Sequence, residues 1–260
     1  MDSLIASIIL AIVQGITEWI PVSSTGHLIL FERILGFPGT LEFDVALHFG
    51  TLMAAFVYFG KDITDIIKDF VVGKWKTANG RLAWMIIIAT IPAAIVGYLF
   101  ESLFEKSFSS LGVTAMGFGV TGLFLFIASL NFHKGKKSLE RASYLDSLWI
   151  GLSQVIAILP GVSRSGATMS SGILRGLDEK SAARFSFLMS IPIIFGANLV
   201  AVGDKTLPTN YIWAALVSFA VGIACIHVLY RYVLTNRRNL RWFGAYALLL
   251  ALALGIYILV

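Results

Sequence analysis

Charge is what this sequence has little of. Lys, Arg, Asp and Glu make up 13% of its 260 residues, about half of the ~25% that a soluble domain carries. So little charge cannot coat a soluble surface of this size. It also excludes a disordered, highly charged chain and a charged coiled coil. Cysteine is nearly absent too. Cys225 is the single one and sits in an apolar run, so no intrachain disulfide forms. Six prolines exclude a collagen-like chain. The first apolar run has no basic residues before it and no small-residue cleavage site after it, so it does not read as a removable signal peptide. No low-complexity stretch is long enough to be a linker.

What remains is apolar. Hydrophobic residues are 57% of the chain and the mean hydropathy is +0.83, which predicts an all-α integral membrane protein forming a single membrane domain over 1–260. The net charge of +5 is then a topology signal rather than a sign of nucleic-acid binding. A bilayer core needs about 20 apolar residues per helix. Six stretches qualify: 43–59, 84–104, 111–131, 184–203, 210–230 and 242–260. Trp and Tyr flank them, as at Tyr58, Trp84, Tyr211, Trp213 and Trp242.

Two further apolar stretches break early. Residues 3–17 run into Glu18, Pro21 and Ser23-Ser24-Thr25-Gly26-His27. Residues 148–159 run into Pro160-Gly161 and Ser163-Arg164-Ser165-Gly166. Each reads as a short helix, a polar break and a second short helix. Gln14 and Gln154 precede the breaks, and Gln, Pro, Ser and Gly recur in the same order. Three full spans follow each break. The expected architecture is therefore two repeats, about 1–131 and 142–260.

Sixteen of the 20 basic residues fall in four loops: 60–83, 132–147, 175–184 and 231–241. All four share the cytoplasmic side only if the second broken segment dips into the membrane and returns. The prediction is six transmembrane helices plus two re-entrant helix pairs in inverted topology, with both termini outside. Lys136 and Arg238 are then expected inside, and Ser107 and Thr206 outside.

Polar backbone at membrane depth is tolerated only within protein or beside a water-filled cavity. The two breaks are therefore expected to meet near the middle. Glu18 is costly there, by roughly 2.5–3.5 kcal/mol on insertion scales. Gln14, four residues earlier, shares its helical face, and a carboxylate with an amide oxygen suits a hard divalent cation. The alternative for Glu18 is a structural pair with Arg164. Arg164 stands between serines, beside glycines, at a helix start. That setting binds phosphate through backbone N–H groups and a bidentate guanidinium, although an Arg that only caps carbonyls is the competing reading. His27 is a candidate acid–base group or metal ligand, against a structural role. His48 and His227, in ordinary spans, favour structural roles, and His133 in a loop has none.

The segment Gln14-Gly-Ile-Thr-Glu18-Trp-Ile-Pro21-Val-Ser23-Ser24-Thr25-Gly26-His27 resembles the first signature of the undecaprenyl-diphosphate phosphatase (BacA/UppP, bacitracin-resistance) family. Pro160-Gly161-Val-Ser163-Arg164-Ser165-Gly166-Ala-Thr168 resembles its second. The family accepts Glu or Gln at the place of Gln14, so this chain has one carboxylate fewer, which puts a two-carboxylate metal site in doubt.

The resemblance implies removal of the terminal phosphate of a C55 polyprenyl diphosphate on the outer side of the cytoplasmic membrane, with Mg²⁺ or Ca²⁺. Glu18, His27, Ser24 and Arg164 would be catalytic. Ser23, Thr25, Gly26, Ser163, Ser165, Gly166 and Thr168 would bind substrate, and Glu18 with Gln14 would hold the metal. The implied partners are the lipid substrate and the bilayer, with no nucleic acid; a homodimer is left open. On architecture alone, a transporter or flippase for an anionic lipid or solute competes with the enzyme.

Overall fold

The computed structural model describes residues 3–130, 137–202 and 208–260. Lys134, Lys136 and Thr206, which entered the topology reading, and His133 lie outside the described residues. The described chain is helical. Its first half holds α1 (Ser3–Thr17), α2 (Ser24–Leu35), α3 (Leu41–Tyr58), α4 (Gly60–Val71), α5 (Ala78–Leu99), α6 (Glu101–Phe108) and α7 (Leu111–Leu130). Its second half holds α8 (Tyr144–Ile156), α9 (Arg164–Leu174), α10 (Glu179–Val202), α11 (Ile212–Val228) and α12 (Leu240–Leu259). No strand forms among the described residues.

Six helices are long and apolar enough to cross a bilayer: α3, α5, α7, α10, α11 and α12. They are the six expected spans, with shifted ends. The helix expected from 84 begins at Ala78, because the Thr77 hydroxyl caps it by accepting the Gly80 N–H at 3.1 Å. It stops at Leu99, and residues 101–108 form the separate α6. The span expected from 184 begins at Glu179. α11 passes into a π-helical turn, Leu229–Val233, that carries Arg231. Loop 60–83 is not all loop. Its first part is α4, whose Ile63, Ile66 and Phe70 join the core while Asp62 takes both guanidinium nitrogens Nε and Nη2 of Arg184, at 3.1 and 2.9 Å.

The four helices beside the breaks are short, with 15, 12, 13 and 11 residues in α1, α2, α8 and α9. At about 1.5 Å per residue none reaches across a ~30 Å hydrocarbon core. Instead α1 folds against α2, and α8 against α9. The halves interlock: α1 packs on α11, α8 on α5, α3 on both α10 and α11, and α7 on α12.

Ion pairs gather the basic loops at one end. Arg184 binds Asp62 and lies 3.8 Å from Glu140; the Arg237 Nε donates to Glu179 at 2.6 Å; Arg81 donates to the Ala142 carbonyl at 3.0 Å. The mouth of the α8–α9 hairpin is closed there by Asp146, which binds Lys137 and the Arg175 Nε (3.0 Å) and accepts both the N–H and the hydroxyl of Ser143 at 2.8 Å. Burial raises the Asp146 carboxyl, but Lys137, Ser143 and Arg175 outweigh it and hold the group well below the usual carboxylate range. At the opposite end Arg33 of α2 donates to the Ser109 carbonyl at 3.1 Å, and Thr40 meets Tyr211 at 3.4 Å.

The main core lies where α3, α5, α10 and α11 converge. Trp19 is fully buried there, edge-on to Phe187 with ring centroids 5.0 Å apart. Large apolar side chains such as Ile12, Trp149, Leu249 and Tyr257 cover the outside, as a chain solvated by lipid requires.

Candidate functional site

The breaks are built in two ways. In the first, Ser23 takes φ +72°, the one positive φ of a non-glycine among the described residues. Such a conformation stores on the order of 1–3 kcal/mol and persists only where surroundings enforce it. Here the Ser23 hydroxyl accepts the Gly26 N–H (3.3 Å), and its carbonyl accepts His27 Nδ1 (2.7 Å). In the second break Gly161 takes φ +85°, and a Cβ there would collide with the Thr114 carbonyl. The Thr121 hydroxyl donates to the Gly161 carbonyl at 2.9 Å and accepts the Ser163 N–H at 2.7 Å. Ser163 caps α9 through the Gly166 N–H at 3.0 Å.

The two breaks touch. A Cβ at Gly26 would lie 3.0 Å from the Gly161 Cα, and one at Gly166 would lie 3.4 Å from the Pro21 carbonyl oxygen. The starts of α2 and α9 therefore meet, and their first N–H groups have no intrahelical partner.

Glu18 is the hub. Its Oε1 is ion-paired with the Arg164 Nη2. Its Oε2 accepts the Ser24 hydroxyl at 2.6 Å and the Gln14 Nε2 at 3.1 Å. His48 of α3 brings its Nε2 to 3.8 Å from the same oxygen. The Glu18 side chain is 6% exposed and that of Arg164 14%. Two valences stay open: the Arg164 Nη1 and the Gln14 Oε1 are buried with no hydrogen-bond partner among the described residues. Buried polar atoms are normally satisfied, so a donor directed at the Gln14 oxygen and an acceptor directed at the Arg164 nitrogen are what this pocket lacks.

The predicted residues thus divide. Gln14, Glu18, Ser24 and Arg164 meet directly. Ser23 and Gly26 shape the first turn, and Thr25 follows Ser24 in the first turn of α2. Ser163, Ser165 and Gly166 form the second, with the two serine hydroxyls 3.2 Å apart. Thr168 turns toward α10, hydrogen-bonded to the Arg164 carbonyl (2.7 Å) and the Ser186 hydroxyl (2.6 Å). His27 has its second ring nitrogen on the Tyr246 hydroxyl of α12, at 2.7 Å, and Phe118 edge-on at 5.3 Å.

His48, Tyr246 and Thr121 are the residues that sequence reasoning passed over. His48 carried a usable signal, since an ionisable side chain inside a span is functional by default. Tyr246 and Thr121 gave none, because only the fold brings α12 and α7 to the breaks.

Among the described residues no three His, Cys, Asp or Glu side chains gather into a metal cage. The Glu18 carboxylate and the open Gln14 oxygen are two oxygen donors. That donor set fits a hard cation that keeps water and phosphate oxygens as its other ligands.

Residues 7–253 match the family model described as bacitracin resistance protein BacA. The undecaprenyl-diphosphatase of Moorella thermoacetica is 40% identical over 255 residues, covering 96% of this chain and 95% of that protein. That of Thermosipho melanesiensis is 40% identical over 245 residues, covering 94% and 96%. Undecaprenyl-diphosphatase 1 of Pseudoalteromonas translucida is 38% identical over 268 residues, covering 98% and 99%. These names describe hydrolysis and do not favour the transporter reading. A match over nearly the whole length, with both breaks inside it, makes this chain a member of the BacA bacitracin-resistance family.

Proposed function

We propose that this protein hydrolyses undecaprenyl diphosphate to the monophosphate and inorganic phosphate. It thereby recycles the lipid carrier of peptidoglycan and envelope glycans and protects against bacitracin. The observation that carries the reading is the Glu18–Ser24–Arg164 constellation where two helix starts meet. Arg164 turns its open Nη1 to the terminal phosphate, and the N–H groups at the starts of α2 and α9 take further phosphate oxygens. As Arg164 engages the phosphate, its hold on Glu18 weakens and the carboxylate becomes more basic.

The Ser24 oxygen attacks the terminal phosphorus. The bond from that phosphorus to the bridging oxygen breaks, the lipid monophosphate leaves, and the Ser24 proton passes to Glu18. Water then attacks the phosphoserine, inorganic phosphate departs, and Ser24 recovers its proton. His27, held between Ser23 and Tyr246, fixes the strained turn that presents Ser24. Glu18 and the Gln14 oxygen would hold a divalent cation, Mg²⁺ or Ca²⁺, which neutralises phosphoryl charge when bound.

The halves are two inverted repeats with re-entrant pairs α1–α2 and α8–α9; the reciprocal packing of α1 on α11 and α8 on α5 supports this. The ion-paired basic end is cytoplasmic, and the site is reached from the outer side of the cytoplasmic membrane, where both termini lie. Every residue invoked comes from one chain, so a homodimer is not needed for the chemistry.

The test is phosphate release from undecaprenyl diphosphate by purified protein in detergent. Release should need a divalent cation and fall at least ~1,000-fold in Ser24→Ala, the scale of losing a nucleophile. No release from folded wild-type protein would refute the enzyme, because hydrolysis, unlike transport, needs no second compartment.

A further inference from the structure

His48 stands at the site without a place in the chemistry above. Its Nδ1 lies 2.8 Å from the Asp44 carbonyl oxygen. A carbonyl only accepts, so Nδ1 carries a proton, and when Nε2 carries none its lone pair is free. That lone pair faces Glu18 Oε2 across 3.8 Å. This is too far for a hydrogen bond, and two acceptors gain nothing by facing each other. The Gln14 Oε1, a third acceptor, is buried on the same carboxylate's other neighbour with no partner among the described residues. Imidazoles that bind metals have this arrangement, one ring nitrogen fixed by a carbonyl and the other bare. The His48 ring is also 24% exposed, against 6% for Glu18.

We infer that His48 Nε2 is a protein ligand of the divalent cation, completing a set with Glu18 and the Gln14 oxygen and turning its preference from Ca²⁺ toward a first-row ion such as Mn²⁺. The inference rests on the cation-assisted reading above. Its logic is ligand type. Ca²⁺ takes six to eight oxygens, whereas an imidazole nitrogen raises affinity for first-row metals. Arg164 is the other charged group in contact with Glu18. Arg164 already occupies Glu18 Oε1; Oε2, the oxygen on the His48 side, meets only neutral donors among the described residues, the Ser24 hydroxyl and the Gln14 amide, and is the one a cation can share.

The test needs neither substrate nor turnover. Mn²⁺ is titrated into phosphate-free protein in detergent and followed by paramagnetic resonance. The expected result is one Mn²⁺ site at least ~10-fold tighter than Ca²⁺, with spin-echo modulation from a directly bound ¹⁴N. That modulation should become a ¹⁵N pattern when wild-type protein is grown with ¹⁵N-histidine, a readout that requires no substitution. His48→Gln should abolish it and weaken Mn²⁺ by ~10–100-fold while leaving Ca²⁺ within ~3-fold. His227→Gln, a histidine of α11, should leave it intact.

Absence of nitrogen modulation, no Mn²⁺ bound at ~1 mM, or modulation that survives His48→Gln would overturn the assignment. Each of these is independent of whether the protein hydrolyses the lipid. Nitrogen-ligated Mn²⁺ in a protein without hydrolysis would instead refute the function and keep the site.

Discussion

The two breaks share an order of residues and differ in what they are made to do. The first carries the carboxylate, the hydroxyl and a serine forced to φ +72°. The second carries the cation on a turn whose positive φ belongs to Gly161, where no side chain fits. Their outer ends differ as well. The α8–α9 hairpin is clamped at its mouth by Lys137, Arg175 and Ser143 on one buried carboxylate, Asp146. The α1–α2 hairpin ends on a glycine C-cap, Gly36 at φ +60°, and an exposed bond from Arg33 to Ser109. The second break supplies a braced platform that presents a fixed charge. The first supplies a carboxylate and a hydroxyl on a strained turn. Two breaks with one order of residues can thus differ in side-chain chemistry.

The platform's charge is where the two breaks differ most severely. Arg164→Lys keeps the positive charge but loses the planar fork. It should lower kcat/KM at least ~100-fold, about 2.7 kcal/mol of transition-state stabilisation, in a protein that still folds. A wild-type rate would show that the second break does not hold phosphate.

The backbone of each break can be tested next. Gly161→Ala puts a Cβ into the Thr114 carbonyl at a left-handed residue and should lower stability by about 2–4 kcal/mol, read as a large drop in Tm. Ser23→Gly should do the opposite on a small scale. Relief of strain outweighs the few tenths lost with the cap, so stability should hold or rise by up to ~1 kcal/mol. Equal losses at both positions would erase the distinction between them.

Bracing is the subtler difference. Asp146→Asn removes the carboxylate that three partners share and should cost about 1–3 kcal/mol at pH 7. The folded-state acid is depressed, so its contribution is present above the unfolded value of about 3.9 and is lost as pH falls toward the folded one. The Tm gap between wild type and Asp146→Asn should therefore be full at neutral pH and narrow below about pH 4. A gap that widens in acid would mean that Asp146 is not the brace.

Most of the fold was legible because lipid allows few solutions. Length and hydropathy mark six spans, and stretches of under 20 apolar residues ending in Pro and Ser mark the two breaks. Span ends were misjudged where a hydroxyl such as Thr77 begins a helix inside a polar stretch, and α4 was hidden because its apolar positions are interleaved with Lys and Asp. In the site, Glu18, Ser24 and Arg164 were legible because each is polar where polarity is costly. His48 carried the same signal, an ionisable group inside a span, but the sequence does not show that it faces a carboxylate rather than lipid or core. His27 looked the more chemical of the two from its neighbours, yet its ring nitrogens go to Ser23 and Tyr246.

If both breaks form one reacting unit, a double-mutant cycle on kcat/KM will show it. Glu18→Gln and Arg164→Lys are measured singly and together with undecaprenyl diphosphate, at fixed cation and with folding checked for each variant. Residues that act as a unit lose most of their effect once either is gone. The double variant should fall within ~10-fold of the worse single one. Losses that multiply, with each substitution costing its full factor in the presence of the other, would contradict it.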